Sequence, residues 1–305
     1  MSASATLARP GGPGLSTYDY GLYAATVFAW GFSWIAMKGQ VSSVPPEVSV
    51  FWRFVLASSV MFGWSLFRGK QLRFSLSTHL RFAGLGLFLF STNFTLFYYG
   101  AKSIPSGLLA VIFSTASIFN MILAFLLFGQ RVSRQTAVAA ALGFGGVAFM
   151  FWPEIAGTSF NRDAAFGLLL CIAGTLSFCM GNMVSASTQK KTISVTSATT
   201  WGMLYGTVFL GLFSWASGKS FAIETSMTYL GSLVYLAVVA SVIAFASYLT
   251  LLGRIGSARA GYATVIFPVV ALSVSTVFEG YVWTAGALTG LLLVMAGNVL
   301  MLRRA

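Results

Sequence analysis

Charge is what this sequence has least of. Only 8% of its 305 residues are Asp, Glu, Lys or Arg, against about 25% in ordinary soluble domains. Acids are scarcest, 6 beside 18 Lys and Arg. A soluble chain of this length needs a charged surface, and there is too little charge to make one. With mean hydropathy at +0.84, lipid must be most of the solvent. An all-α polytopic membrane protein is expected.

Other absences exclude chemistry. One histidine (His79) and two cysteines leave no metal-ligand cluster, and no metal or other cofactor is expected. Cys171 and Cys179 fall on one predicted helix, about 12 Å apart along its axis, too far to bridge; they read as small buried residues. No span holds the mid-membrane Asp, Glu or His that an intramembrane enzyme would need beside a nucleophile. "GLGLFLFST" (84–92) lacks the G-x-x-x-x-G-K-[ST] pattern, so ATP drive is not expected. The net charge of +12 does not imply nucleic acid, because the basic residues come in ones and twos between apolar runs.

What is present is apolar length. Runs at 20–37, 48–67, 82–101, 106–128, 135–152, 164–186, 195–217, 229–252, 259–278 and 284–302 predict ten spans, each near the roughly 20 residues a bilayer requires. Turn chemistry marks the breaks, as at Pro45-Pro46, Trp152-Pro153 and Gly253-Arg254. Residues 1–19 read as a disordered cytoplasmic tail without a cleavage site, and 303–305 as a cytoplasmic C-terminus. With the N-terminus inside, the inner segments carry thirteen basic residues: Arg9, Arg68, Lys70, Arg73, Arg81, Arg131, Arg134, Lys190, Lys191, Arg254, Arg259, Arg303 and Arg304. The outer segments carry four, Lys38, Lys102, Arg162 and Lys219, which puts both termini in the cytoplasm.

Shifted by about 150 residues, the chain begins to match itself. "AVIFSTAS" (110–117) resembles "TVIFPVVA" (264–271), and "AWGFSW" (29–34) falls on "CMGNMV" (179–184). Two five-helix halves are expected, 20–157 and 158–302. Five is odd, so the second half must insert inverted, as in secondary transporters with a central midplane cavity.

The strings themselves resemble a known family. "AWGFSWIAMKGQVSSVPPEVSVFWRFVLA" (29–57) looks like the opening of an EamA-type domain of the drug/metabolite transporter superfamily. "LLFGQRVSRQTAVAAALGFGGVAFMF" (126–151) and "VFEGYVWTAGALTGLLLVMAGNVLML" (277–302) are similar to its repeat endings, with Gln130 where an acid commonly stands and Glu279 keeping it. "GNMVSASTQ" (181–189) and "WGMLYG" (201–206) resemble the YddG-like amino-acid exporters of bacterial inner membranes. The resemblance implies export of aromatic and other neutral hydrophobic amino acids by alternating access across that membrane.

The spans' own chemistry is compatible. Without a mid-membrane carboxylate there is nothing for a proton and a cationic drug to compete over. With one deep arginine, Arg53, there is little to hold phosphate groups. A zwitterion or uncharged amphiphile fits best. The candidate binding residues are Trp30, Trp34, Asn93, Ser117, Asn182, Trp201, Tyr205, Tyr248 and Tyr262, large rings and small polar groups at helical spacing. Candidate gate residues are Lys38, Arg53 and Pro268. Arg53 either snorkels outward toward Glu47 or faces the bundle, pairing with carbonyls at an outer gate or meeting a substrate carboxylate; Lys38 is a second gate residue or an interfacial cation. Tyr20, Trp152 and Trp283 read as interface anchors and His79 as solvated in an inner loop. The glycines at 167, 174 and 181, and the pair Gly286 and Gly290, predict close helix packing within the bundle or between subunits; the first is favoured and compatible with a monomer whose partners are lipid and a small-molecule substrate. A neutral-metabolite or drug exporter is the rival reading, and a membrane sensor the one from another class.

Overall fold

The computed structural model describes residues 15–41, 44–129, 133–156, 161–189, 191, 193–255 and 262–302. Arg9, Gln130, Arg131, Lys190, Arg259, Arg303 and Arg304 lie outside the described residues. Each described element is a helix. In chain order they are α1 (Thr17–Lys38), α2 (Pro46–Phe67), α3 (Leu76–Gly100) and α4 (Ser106–Ser114, continued by Ala116–Phe128). Then come α5 (Arg134–Ala156), α6 (Arg162–Gln189), α7 (Val195–Ala216), α8 (Met227–Val234, Tyr235–Ile243 and Ala244–Ile255), α9 (Ala263–Glu279) and α10 (Ala285–Leu302). Among the described residues seven helices are long and apolar enough to cross a membrane: α2 to α6, α8 and α10. Large apolar side chains such as Phe67, Val277 and Phe149 lie exposed on the outside, a surface suited to lipid.

Local chemistry sets the ends. Ser16 and Asp19 form a reciprocal capping box that starts α1. Pro46 occupies the first turn of α2, where its missing N–H is not needed. Ser194 and Ser226 accept backbone N–H bonds at the starts of α7 and α8. Gly280 ends α9 in the left-handed region, φ +67°. α3 begins at Leu76, earlier than the expected 82, because His79 and Arg81 ride on its first turns; Arg81 donates to Ser187 at 3.0 Å.

Two helices share an irregularity. α3 contains a π-helical stretch at Phe88–Thr92, and α8 one at Tyr235–Ile243. The wider turn leaves carbonyls that hydroxyls take up: Ser177 donates to the Phe88 oxygen and Ser241 to the Leu236 oxygen, each at 2.8 Å. Small residues govern how closely helices meet. A Cβ added at Gly167 would lie 3.2 Å from Ile104, at Gly174 2.9 Å from Phe97, and at Gly181 2.9 Å from Leu89. The seven-residue glycine row therefore packs α6 along α3 and the turn after it, inside the bundle. On α9, Val270 fills the space over Gly31 of α1, and Leu272 that over Gly107 of α4.

One end is tied by an ion pair. Arg254, closing α8, donates from Nε to Asp19 at 2.5 Å, and each charge sits at the helix end whose dipole favours it. The Arg254 guanidinium, with bonds from Ser16, holds the Asp19 carboxyl well below its ordinary value of 3.8. A depressed folded value means the contribution is complete above about pH 4 and fades as acid protonates the folded carboxylate. Asp19→Asn should lower the unfolding temperature by a constant amount between about pH 5 and 8, a difference that shrinks below about pH 4. A difference that stays constant through the acid limb would show that the pair does not stabilise the fold.

Candidate functional site

The core of the bundle is a cluster of rings. Trp34 of α1 packs on Phe97 of α3 at 5.3 Å and Phe113 of α4 at 5.5 Å, and stacks on Phe267 of α9 at 6.4 Å between centroids. Phe113 meets Phe178 of α6 at 4.6 Å. Trp30, one turn from Trp34, meets Tyr248 at 5.2 Å, Phe245 at 5.7 Å and Phe267 at 6.4 Å. Tyr23 joins the same cluster from α1. Expected residues Trp30, Trp34 and Tyr248 thus meet in one region, while Tyr262 stands at the start of α9, before Ala263 of the same cluster. Phe113, Phe178 and Phe267 complete its wall and were not singled out from sequence. Pro268 follows Phe267 inside α9, buried against the same wall; its ring denies α9 one backbone donor there.

Amides border the rings. Asn182 lies one turn beyond Phe178 and donates to Asn120 of α4 at 3.4 Å, both half-buried. Asn120 was not anticipated, although an asparagine in an apolar run is signal enough. Asn93 follows the π-helical stretch of α3 and is buried; its Nδ2 donates to the Leu89 oxygen at 3.4 Å while Oδ1 has no partner. Ser117 serves a different contact. Its hydroxyl donates to Asn298 Oδ1 at 2.5 Å, and Asn298 Nδ2 reaches Ser114 at 3.4 Å, fastening α4 to α10 rather than facing the rings.

Trp201 and Tyr205 also stand apart from the rings. Trp201 donates from Nε1 to the Leu72 oxygen at 3.1 Å and packs on Phe62 at 5.2 Å. His79 closes this second cluster, 4.5 Å from the Trp201 ring, with Nδ1 3.1 Å from the Tyr205 hydroxyl. The expectation of a solvated histidine is corrected: the early start of α3 carries His79 into contact with α7.

At the other end of the bundle an ion pair and several hydrogen bonds tie the helices together. Lys38 Nζ donates to the Ala101 oxygen at 2.6 Å and the Ile104 oxygen at 3.3 Å, and lies 3.8 Å from Glu279. Glu279 accepts from the Ser106 N–H at 2.9 Å, from the Ser106 hydroxyl, and from Ser275 at 2.6 Å. Four segments meet there: the ends of α1 and α9, the turn 101–104 and the start of α4.

Arg53 faces the bundle interior and is 4% exposed. It does not pair with Glu47, which accepts from Tyr99 at 2.9 Å. Its guanidinium lies 4.3 Å above the Phe94 ring and donates to Ser241 of α8 at 3.2 Å, and Tyr98 follows one turn along α3 from Phe94. The site is thus a ring-walled core holding no carboxylate among the described residues, with a basic contact behind it and these ties at the Lys38 end.

The model of the EamA-like transporter family matches this chain twice, over residues 20–152 and 165–303. The chain belongs to that family and is a multi-pass membrane transporter. Rings of the core come from both matched segments: Trp34, Phe97 and Phe113 from the first, Phe178, Tyr248 and Phe267 from the second. A relative from Salmonella typhimurium named "Probable amino-acid metabolite efflux pump" is 26% identical over 93% of this chain and 94% of its own. Its Escherichia coli counterpart of the same name is 25% identical over the same shares. An Escherichia coli protein named "Uncharacterized inner membrane transporter YedA" is 25% identical over 86% of this chain and 83% of its own. One crystal structure covers 94% of this chain and 96% of its own with a TM-score of 0.66 at 15% identity, a shared fold.

Proposed function

We propose that this transporter exports neutral amino acids, aromatic and other hydrophobic ones, across a bacterial inner membrane by alternating access. Ten helices cross the membrane as two inverted five-helix repeats, 20–157 and 158–302, around a central substrate path. The double family match and the π-helical stretches in the third helix of each segment favour such a repeat. So does the pairing of α2 with α7, α4 with α9 and α5 with α10, each joining corresponding members. The Lys38 end faces outward, in keeping with the excess of basic residues on the other side, so both termini are cytoplasmic. The chain works as a monomer, its glycine rows being used within the bundle.

The observation that carries the substrate class is the core where the two matched segments meet: stacked rings, amides and hydroxyls, with no carboxylate among the described residues. Rings of this size give a hydrophobic side chain large rigid contact, and the absence of acid removes any preference for cations. Names borne by the relatives point the same way. Among the expected residues, Trp30, Trp34, Tyr248 and Tyr262 form the walls, Asn93 and Asn182 supply polar contacts, and Lys38, Arg53 and Pro268 belong to gating. Trp201 and Tyr205 act with His79 nearer the cytoplasmic end, and Ser117 holds α4 in place.

The test is counterflow in proteoliposomes containing only this protein, with labelled Phe, Trp, Met, Thr, Lys and Glu. Saturable uptake of neutral amino acids is expected, indifferent to a pH gradient. Trp34→Ala should reduce it by about tenfold or more, the loss of a buried ring's contact, and Asn182→Ala by less. No amino-acid transport by well-folded protein would overturn the substrate assignment and send the search to other neutral metabolites and drugs.

A further inference from the structure

Arg53 is buried, yet among the described residues no carboxylate pairs with it. A guanidinium carries five N–H donors. One nitrogen donates to Ser241 and the face rests on Phe94, one turn before Tyr98 on α3, but Nε has no partner. The same Tyr98 hydroxyl donates to Gln40 Oε1 at 2.5 Å, and Gln40 Nε2 is likewise buried without a partner. Two unsatisfied donors, one of them cationic, thus stand on either side of Tyr98, which bonds Gln40 and follows the Phe94 ring under Arg53. Both Arg53 and Gln40 are at least nine-tenths buried.

A buried charge without a counter-ion is expensive, and rings with hydroxyls offset only part of that expense. Donors with nothing to accept their bonds complement an anion whose oxygens can take a forked pair, as a carboxylate does with arginine. We infer that Arg53, Tyr98 and Gln40 form a site for a monovalent carboxylate, occupied when the Lys38 end opens. Resting on the proposed function, the occupant is the carboxylate of the transported amino acid, whose side chain then lies toward the rings. Ser241 gives the site a second property. It stands on the π-helical stretch of α8, in the other matched segment, so an anion that draws the guanidinium away from Ser241 breaks a contact between the two segments. Binding and rearrangement are then linked through one side chain.

Thermal unfolding of the purified full chain tests this, with L-phenylalanine, its decarboxylated analogue phenethylamine, and sodium chloride against sodium isethionate as separate probes. Stabilisation by phenylalanine but not phenethylamine is expected, with apparent affinity about tenfold or more weaker in Arg53→Gln, the loss of a charge-assisted bond. Tyr98→Phe keeps the charge and should weaken the same response by less, which keeps the test valid if Arg53→Gln does not fold. Stabilisation by chloride alone, lost in Arg53→Gln, would uphold the anion site while overturning the amino-acid reading. Equal stabilisation by phenylalanine and phenethylamine would overturn the anion site and leave the amino-acid reading standing. Indifference of the wild-type protein to every probe would overturn the site.

Discussion

Gly145→Ala and Gly146→Ala, one residue apart on α5, should move stability in opposite directions. At Gly146 an added Cβ would lie 2.5 Å from the Gly290 oxygen, 2.8 Å from Val294 Cγ2 and 2.9 Å from the Val294 nitrogen. Two of those neighbours are backbone atoms of α10, which cannot rotate out of the way as a side chain can. The reverse contact is as tight, since a Cβ at Gly290 would stand 2.5 Å from the Gly146 oxygen. The helices must separate to admit a methyl group, and in a membrane their attraction rests on close packing rather than on a hydrophobic drive. Overpacking of this kind costs about 1–3 kcal/mol, here at the upper end. Gly145 has nothing within 4 Å, so its alanine should be neutral or gain up to about 1 kcal/mol of helix propensity. Unfolding midpoints in mild detergent check both. Equal losses would mean that any methyl on this turn is harmful and that the α5–α10 contact is not the cause.

Composition and periodicity made the helical class legible because lipid imposes a rule on every span. Individual side chains were legible where the rule is broken. Arg53 drew notice as a charge in an apolar run, and it is buried in the interior with Ser241 and Phe94. Its burial and the Tyr99 bond to Glu47 place it inside the bundle and away from Glu47, a placement that the apolar run alone did not decide. The rings divide differently. Trp30 and Trp34 share a helix face with each other and reach the core, whereas Trp201 is equally deep in its apolar run but bonded to Leu72. Rotation of a helix about its axis is set by neighbours, and no local pattern reports it. Phe113 and Phe267 were in plain view as the shared phenylalanine of "AVIFSTAS" and "TVIFPVVA", the strings that suggested the repeat. These two rings are 6.3 Å apart in the core. Ser117 and Asn182 differ for a simpler reason: each had a polar partner, Asn298 and Asn120, far away in sequence.

Glu279→Gln is expected to unseal the Lys38 end. Glu279 closes α9, where the helix dipole disfavours an acid, so its position needs outside support. That support is the start of α4. Pro105 offers α4 no side-chain cap, and the Glu279 carboxylate takes the Ser106 N–H instead, capping one helix from the end of another. Lys38 adds charge from 3.8 Å and holds the turn 101–104 through two carbonyls. A glutamine keeps the shape but gives up the charge, and each charge-assisted bond weakened is worth about 1.5–3 kcal/mol. If alternating access is a two-state equilibrium, losing one such bond shifts it toward the open form by about tenfold or more. Met37, 3% exposed beside Lys38, reports the change when replaced by cysteine in a chain lacking Cys171 and Cys179. An impermeant maleimide added at the Lys38 side should label Met37→Cys about tenfold or more faster with Glu279→Gln than without it. Lys38→Met should act in the same direction and to a smaller extent, because Ser106 and Ser275 still hold the carboxylate. Labelling rates unchanged by either substitution would mean that apolar packing of α1, α4 and α9, through Gly31 and Gly107, closes this end by itself.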